Sequence, residues 1–326
     1  MWKDNKTILG IVLFVIISAF AFISVPADPA NESSKSDKKD FVFTGYVERS
    51  IVRLVELRAI VYDKKGRIVT DLTKDDFKLF EDYFPQKITH FSIEPDEPIS
   101  VAFLLDVSGS MRLLDRITDA KEAIKYFVNT LNMEDRFSLL IFADNQVEMV
   151  QEFSNDKEKF LSILEPIEAY GQTALNDAVA ASPELVDSQS HGRKAIILIS
   201  DGEDNFSKNS PEQAVLLAKS VDVPIYVISF ADLPKKIIGK EETVPIKYKL
   251  LSKYAQETGG LFFRIEDPDE LKEACNQIEY ELRHQYVIAY VPRRAFWDGH
   301  YRKLKLEASK EGLNIRTRKG YIAKSD

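Results

Sequence analysis

Ile99-Ser100-Val101-Ala102-Phe103-Leu104-Leu105-Asp106-Val107-Ser108-Gly109-Ser110 is the stretch that decides how this chain folds. From Ile99 to Leu105 it is apolar but for Ser100, and it reads as a buried strand. Asp106, Ser108 and Ser110 then place one carboxylate and two hydroxyls at the carboxyl end of that strand, along a tight turn through Gly109. A hard divalent cation takes oxygen ligands of this kind, and Mg²⁺ takes them few, octahedral and partly replaced by water. In open α/β sheets, ligands bind outside the carboxyl ends of the strands. Two further segments offer oxygens in similar settings, Gly171-Gln172-Thr173-Ala174-Leu175 and Ser200-Asp201-Gly202.

Outward from this stretch the pattern alternates. Strands are expected at 99–106, 136–143, 194–200, 223–230 and 260–264, with a short edge strand near 146–153. Helices are expected at 116–131, 157–163, 174–186, 211–220, 247–257 and 268–283. In the last, Leu271, Ala274, Cys275, Ile278 and Leu282 share one face. Pro211 and Pro268 sit in first turns, where proline is tolerated, and Gly259-Gly260 closes a helix before its strand. Strands alternating with helices predict an α/β fold, a doubly wound, mostly parallel sheet covered on both faces.

The flanks read differently. Val52, Leu54, Glu56, Arg58 and Ile60 alternate with Arg53, Val55, Leu57, Ala59 and Val61, so one face of a strand over 51–62 is the more apolar. Strands are also expected over 41–47, 78–81 and 87–93. Asp63-Lys64-Lys65-Gly66 is a hairpin turn leading to Ile68 and Val69, and Thr73 caps a single turn at Lys74-Asp75-Asp76. After Arg283 strands return at 285–291, 302–308 and 314–323, separated by Asp298-Gly299 and Glu311-Gly312. These strands need a crossover to join the central sheet, so they are expected to pair with the strands before Ile99. The expected layout is thus a smaller β domain built from both chain ends, 41–97 and 285–326, with the α/β domain, 98–284, inserted in it.

The three oxygen-bearing segments together resemble the metal-ion-dependent adhesion site of von Willebrand factor A (VWA) domains, which are Rossmann-like. The D-x-S-x-S loop is matched by Asp106, Ser108 and Ser110, the threonine by Thr173 and the distal aspartate by Asp201. The alternative is that Ser108 and Ser110 cap the next helix and Asp201 begins a turn, but it leaves the order and spacing of the three segments unexplained. The resemblance implies a divalent cation, Mg²⁺ with Mn²⁺ or Ca²⁺ as alternatives. It also implies an open coordination position for an acidic side chain of a protein partner, an exposed Asp or Glu. Thr173 is the ligand whose loop approaches or retreats from the metal in that family. A second resemblance, to a bacterial VWFA-related family of exported proteins, rests on the stretch from Leu72 to Ile88, on Gln285-Tyr286 and on Arg318-Lys319-Gly320-Tyr321. It covers nearly all of the chain after about Val47. Where a turn glycine is expected after Glu81-Asp82 this chain has Tyr83, so a differently shaped hairpin is expected there.

Composition narrows the function. The formal net charge is -8 with no basic patch, which argues against nucleic acid as a partner. The single cysteine, Cys275, excludes an internal disulfide and reads as a small buried hydrophobe. The four histidines, His90, His191, His284 and His300, lack metal-ligand spacing, and no G-x-S-x-G elbow or phosphate loop is present. The expectation is a binding protein and not an enzyme. A scaffolding envelope protein with a stabilising metal is the alternative, and a metal-assisted hydrolase a weaker one. Asp115 is expected to cap the helix that starts at Arg116, and Glu203 and Asp204 to be solvated loop charges. At the amino terminus Lys3 and Lys6 precede an uncharged apolar run over 8–25, longer than a typical signal-peptide core and slightly shorter than a typical spanning helix. Residues 1–27 are therefore expected to be a signal peptide or a membrane anchor, followed by a flexible spacer over 28–40. Charge leaves the topology open, since Lys35, Lys38 and Lys39 compete with Lys3 and Lys6. The short head and signal-like shape favour export, so the remainder is expected outside the cytoplasm, as a secreted, periplasmic or membrane-anchored protein.

Overall fold

The computed structural model describes residues 53–189, 192–231 and 245–324. The chain divides after Ser50, and the account here concerns the part beyond it. The amino-terminal run, the spacer, the strand expected over 41–47 and His191 lie outside the described residues. Among the described residues, no helix is long and apolar enough to cross a membrane.

Strands β1 (Val55–Tyr62), β2 (Phe77–Glu81), β3 (Phe84–Gln86) and β4 (Ile88–Ile93) come first. The α/β part follows, with β5 (Ile99–Asp106), α1 (Arg116–Thr130), β6 (Arg136–Ala143), β7 (Gln146–Ser154), α2 (Lys157–Leu164), α3 (Leu175–Gln189), β8 (Arg193–Ile199), α4 (Pro211–Ala218), β9 (Ile225–Phe230), α5 (Ile246–Thr258), β10 (Phe262–Ile265) and α6 (Pro268–Arg283). The chain ends on β11 (Tyr286–Tyr290), β12 (Tyr301–Ala308), β13 (Asn314–Thr317) and β14 (Gly320–Ile322).

Every residue of β5 is buried. Its odd-numbered side chains Val101, Phe103 and Leu105 pack with Phe127, Phe160 and Ile278 from α1, α2 and α6. Its even-numbered Ala102 and Leu104 pack with Val179, Ala214 and Leu251 from α3, α4 and α5. A strand covered on both faces has no reason to alternate, which is why this run is apolar throughout. Each large side chain so buried contributes roughly 1.5–3 kcal/mol. The sheet runs β10-β9-β8-β5-β6-β7, parallel except for the antiparallel edge strand β7. From β5 the chain winds to β6 on one side, then returns to β8 on the other. The crevice between β5 and β8 is therefore the topological switch point, the place where such sheets bind ligands.

The remaining strands form two antiparallel sheets, β13-β1-β11-β4 and β14-β12-β2-β3. Their inner faces share a core of Leu57, Leu79, Tyr286, Ile288 and Leu306, among others. Both chain ends contribute to both sheets, so the doubly wound domain is an insertion in a β sandwich, as expected. Inside the sandwich, buried Glu81 accepts hydrogen bonds from the hydroxyls of Tyr290 (2.5 Å) and Tyr321 (2.8 Å) and pairs with buried Arg302 (3.3 Å). Gly320 lets β14 approach β12, since a Cβ there would lie 2.2 Å from the Arg302 carbonyl oxygen.

Three local expectations need correction. Residues 314–323 are not one strand: β13 and β14 belong to different sheets, and the chain crosses between them at Arg318-Lys319. Ile68 and Val69 do not form a return strand, and only a single bridge joins Tyr62 to Ile68. The Glu81–Phe84 hairpin keeps a tight two-residue turn without glycine, because Asp82 (φ 46°) and Tyr83 (φ 71°) both take left-handed backbone. The single turn capped at Thr73 is present, with the Asp76 carboxylate accepting from the Thr73 N–H at 2.8 Å.

Candidate metal centre

Asp106 ends β5, and Ser108 and Ser110 follow in a turn that continues as 3-10 helix over Gly109–Asp115. Thr173 precedes α3, and Asp201 follows β8. The structure brings all five residues to the carboxyl end of the sheet, at the switch point between β5 and β8. Asp106, Ser108, Thr173 and Asp201 are buried, and Ser110 is half-buried.

Backbone hydrogen bonds stitch the three segments together. Gly109 N–H donates to the Gly171 carbonyl (3.0 Å), and Tyr170 N–H donates to that of Val107 (2.6 Å). Asn205 and Phe206 N–H both donate to the Thr173 carbonyl at 3.0 Å, and the Asn205 side chain accepts from the Thr173 N–H at 3.0 Å. Gly171 is left-handed (φ 71°), and a Cβ there would lie 2.7 Å from the Asp144 carboxylate. That carboxylate accepts the Gln172 N–H at 2.8 Å, so the Thr173 loop is held from two sides.

The charges are arranged with equal care. Asp106 accepts hydrogen bonds from the Ser108 N–H (2.9 Å) and the Ser200 hydroxyl (2.7 Å). Burial pushes its carboxyl up to about 6, against the pull of Ser108 and Ser200, with nearby Asp201 adding to the rise. Asp201 accepts from the Glu203 N–H at 3.1 Å, and its other oxygen pairs with Arg116 at 2.8 Å, an ion pair buried on both sides. Of the two buried carboxylates, Asp201 is matched by a guanidinium and Asp106 only by neutral donors. The Ser108 and Ser110 hydroxyl oxygens are 3.1 Å apart. Neighbouring ligands of an octahedral cation at 2.0–2.1 Å stand about 2.9 Å apart, so this pair suits the bite of a small divalent ion. Hydroxyls, two carboxylates and leftover negative charge make a donor set that fits such an ion. Among the described residues, no group of three or more His, Cys, Asp and Glu side chains is arranged to hold a metal.

Sequence reasoning missed Arg116 and misread two neighbours. Asp115 does not cap α1 with its side chain. It is left-handed (φ 62°), and its carboxylate accepts only a long bond from the Thr118 hydroxyl (3.4 Å). Asp204 is not a solvated charge: it accepts the N–H of Asn176 (2.8 Å) and the N–H and hydroxyl of Ser207, capping α3 from outside. Glu203 is the exposed one and pairs with Lys247 at 3.0 Å. The described histidines lie elsewhere. His90 is on β4, His284 follows α6 with its ring against Tyr280, and His300 pairs with Asp298.

The chain is similar to known proteins over the region that carries these residues. The family model described as von Willebrand factor type A domain matches residues 101–203. The chain is 27% identical over 187 residues to human inter-alpha-trypsin inhibitor heavy chain H4, covering 53% of this chain but 19% of that protein. It is 24% identical over 220 residues to a UPF0353 protein of Mycolicibacterium gilvum, covering 61% of this chain and 65% of that one. Among solved structures, it is similar to the conserved hypothetical protein BatB from Bacteroides thetaiotaomicron, with 20% identity and a TM-score of 0.47 over 56% of this chain and 98% of the other. The segment that carries β5, the serine loop, Thr173 and Asp201 is the segment the family model matches, so over residues 101–203 the chain is similar to a von Willebrand factor type A domain.

Proposed function

We propose that this chain is an exported or membrane-anchored module that holds a divalent cation on Asp106, Ser108, Ser110, Thr173 and Asp201 and uses it to bind an acidic side chain of a protein partner. The observation that carries the reading is the meeting of these donors, from three separated segments, around two buried carboxylates of which only Asp201 is matched by a guanidinium. Ser108, Ser110 and Thr173 would offer neutral oxygens. Asp106 and Asp201 would offer charge, directly or through water. Few donors and a compact serine pair favour Mg²⁺ or Mn²⁺ over Ca²⁺, which takes six to eight oxygens. A cation so sparsely neutralised gains most from one more carboxylate, and a partner would supply it. The extracytoplasmic setting rests on the apolar run over 8–25.

The test is a thermal melt of the full chain in EDTA, Mg²⁺ and Mn²⁺, beside Ser110→Ala. Asp201→Ala is a poor control, because it removes one member of a buried ion pair and destabilises the fold for reasons unrelated to metal. A ligand at a hundredfold its Kd adds about 2.7 kcal/mol. For a domain of this size each kcal/mol raises Tm by about 2–4 °C. The expected result is a rise of several degrees in the wild type, largely lost in Ser110→Ala, with equal Tm values in EDTA. No rise in the wild type would sink the metal reading. A rise without metal-dependent partner binding would point to a scaffold with a stabilising ion.

A further inference from the structure

The loops around the candidate metal centre expose four large apolar side chains among their polar ones, which the loop geometry does not require. Leu113 (61% exposed) and Leu114 (67%) follow the serine turn, Tyr170 (49%) precedes Gly171, and Phe206 (42%) follows Asn205. Single exposed apolar side chains are ordinary, but these four occupy the same three loops that carry the candidate donors. Their backbones are tied to those donors. Tyr170 N–H bonds to the carbonyl of Val107, between Asp106 and Ser108, and Phe206 N–H bonds to that of Thr173. Arg112 Nε donates to the Ala169 carbonyl at 2.8 Å, closing the leucine loop onto the tyrosine loop.

Strain accompanies the exposure. Leu114 (φ 54°) and Asp115 (φ 62°) take consecutive left-handed conformations; aspartate tolerates this, but for Leu114 it costs roughly 1–2 kcal/mol. Leu114 gains no burial in return. Exposed hydrophobic side chains held on a strained loop beside a candidate ligand site suit a partner better than they suit the free fold. The exposed charges at the rim nearly cancel, since Arg112 stands on the same loop as Asp115 and Glu203 pairs with Lys247, so apolar contact and not charge would set the preference for what flanks the carboxylate.

Resting on the metal reading above, we propose that the partner presents a single Asp or Glu flanked by apolar side chains. Its carboxylate completes the cation's coordination, and its apolar neighbours pack on Leu113, Leu114, Tyr170 and Phe206. The rim, and not the metal, then sets which acidic side chains are accepted.

The experiment uses immobilised synthetic peptides with a central Glu flanked by Leu and Phe, by Ser, or by further Glu, plus a central-Gln control. They are read with the full-length wild type and with two rim variants, Leu113→Ser with Leu114→Asn, and Tyr170→Ser with Phe206→Ser. Asn tolerates the left-handed conformation, so the first variant retains its loop. In Mg²⁺ the wild type should bind the apolar-flanked Glu peptide at least about tenfold more tightly than the Ser-flanked or poly-acidic ones. The rim variants should lose that preference while keeping the Mg²⁺-dependent rise in Tm. Equal binding of all Glu peptides by the wild type, unchanged preference in the rim variants, or no peptide binding despite a Mg²⁺ rise would each overturn the proposal and leave the metal reading standing. Absence of the Mg²⁺ rise, or binding that survives EDTA and the Gln control, would bring both down.

Discussion

Arg116 reaches its partner Asp201 across 85 residues of sequence, and both are buried. A buried ion pair gains little overall, because desolvation offsets attraction, but removing one member leaves an uncompensated charge at a cost of about 3–5 kcal/mol. Arg116 thus acts as a built-in counter-ion that keeps Asp201 in place when no metal is present. Arg116→Ala is expected to lower Tm in EDTA and to recover part of the loss in Mg²⁺, since the cation then supplies the missing positive charge. The EDTA-to-Mg²⁺ rise should therefore be larger in the variant than in the wild type, and an identical rise in both would show that Arg116 does not balance the site. The serines and Asp106 were legible in the sequence because their spacing is local and follows a recognisable strand. Arg116 was not, because an arginine opening a helix is commonly a surface residue, and only the pairing of β5 with β8 brings Asp201 within its reach.

At the scale of elements, the loop after Asp201 is fastened to the first turn of α3, and so to Thr173. Asp177 accepts hydrogen bonds from the N–H groups of Lys208 (3.0 Å) and Asn209 (2.8 Å) and from the Asn209 side chain (2.8 Å). Burial alone would raise its carboxyl, but these three donors hold it below the ordinary 3.8. A depressed carboxyl adds stability that is present above its unfolded value and lost as pH falls through its folded one. Asp177→Asn, which keeps shape but forfeits charge-assisted acceptance, should cost about 2 kcal/mol near neutrality. Its deficit against the wild type should shrink below pH 3.8, and a deficit that does not change with pH would mean the carboxylate charge is not what holds the loop. Elements as such were well marked in the sequence. Apolar runs bounded by Gly, Pro and capping residues recovered the central strands and helices, and α6 begins and ends where its apolar face and Pro268 placed it. Residues 314–323 were misread because their composition suits one strand, while the sandwich needs two, in separate sheets, on either side of Arg318-Lys319.

In the whole molecule, the sandwich grips the inserted domain at the amino ends of its strands and through α6, leaving the site loops at the carboxyl ends. Buried Arg193 opens β8 and donates to the carbonyl of Arg283 (2.7 Å) while pairing with Glu97 (2.9 Å) on the connection from β4. Asp222, ahead of β9, pairs with Arg318 at 3.3 Å. Buried Glu281 on α6 pairs with Arg316 of β13 and accepts from the Tyr62 hydroxyl of β1 at 2.7 Å. Burial lifts the Tyr62 phenol far above its ordinary value and keeps it a neutral donor to that carboxylate. One side chain thereby binds the last helix of the inserted domain to strands from both ends of the chain. If this junction makes the two parts unfold together, calorimetry of the wild type should show a single transition. Glu281→Ala leaves the Arg316 cation and the Tyr62 hydroxyl without their acceptor, at a cost of about 3–5 kcal/mol. The transition is then expected to broaden or divide, with the sandwich melting first because it has the smaller core. The Mg²⁺-dependent rise should survive in the later transition, since Glu281 touches none of the candidate donors. A lower but still single transition would mean that Arg193 and Arg318 suffice to couple the parts, and loss of the Mg²⁺ rise would mean that the state of α6 is felt at the metal centre.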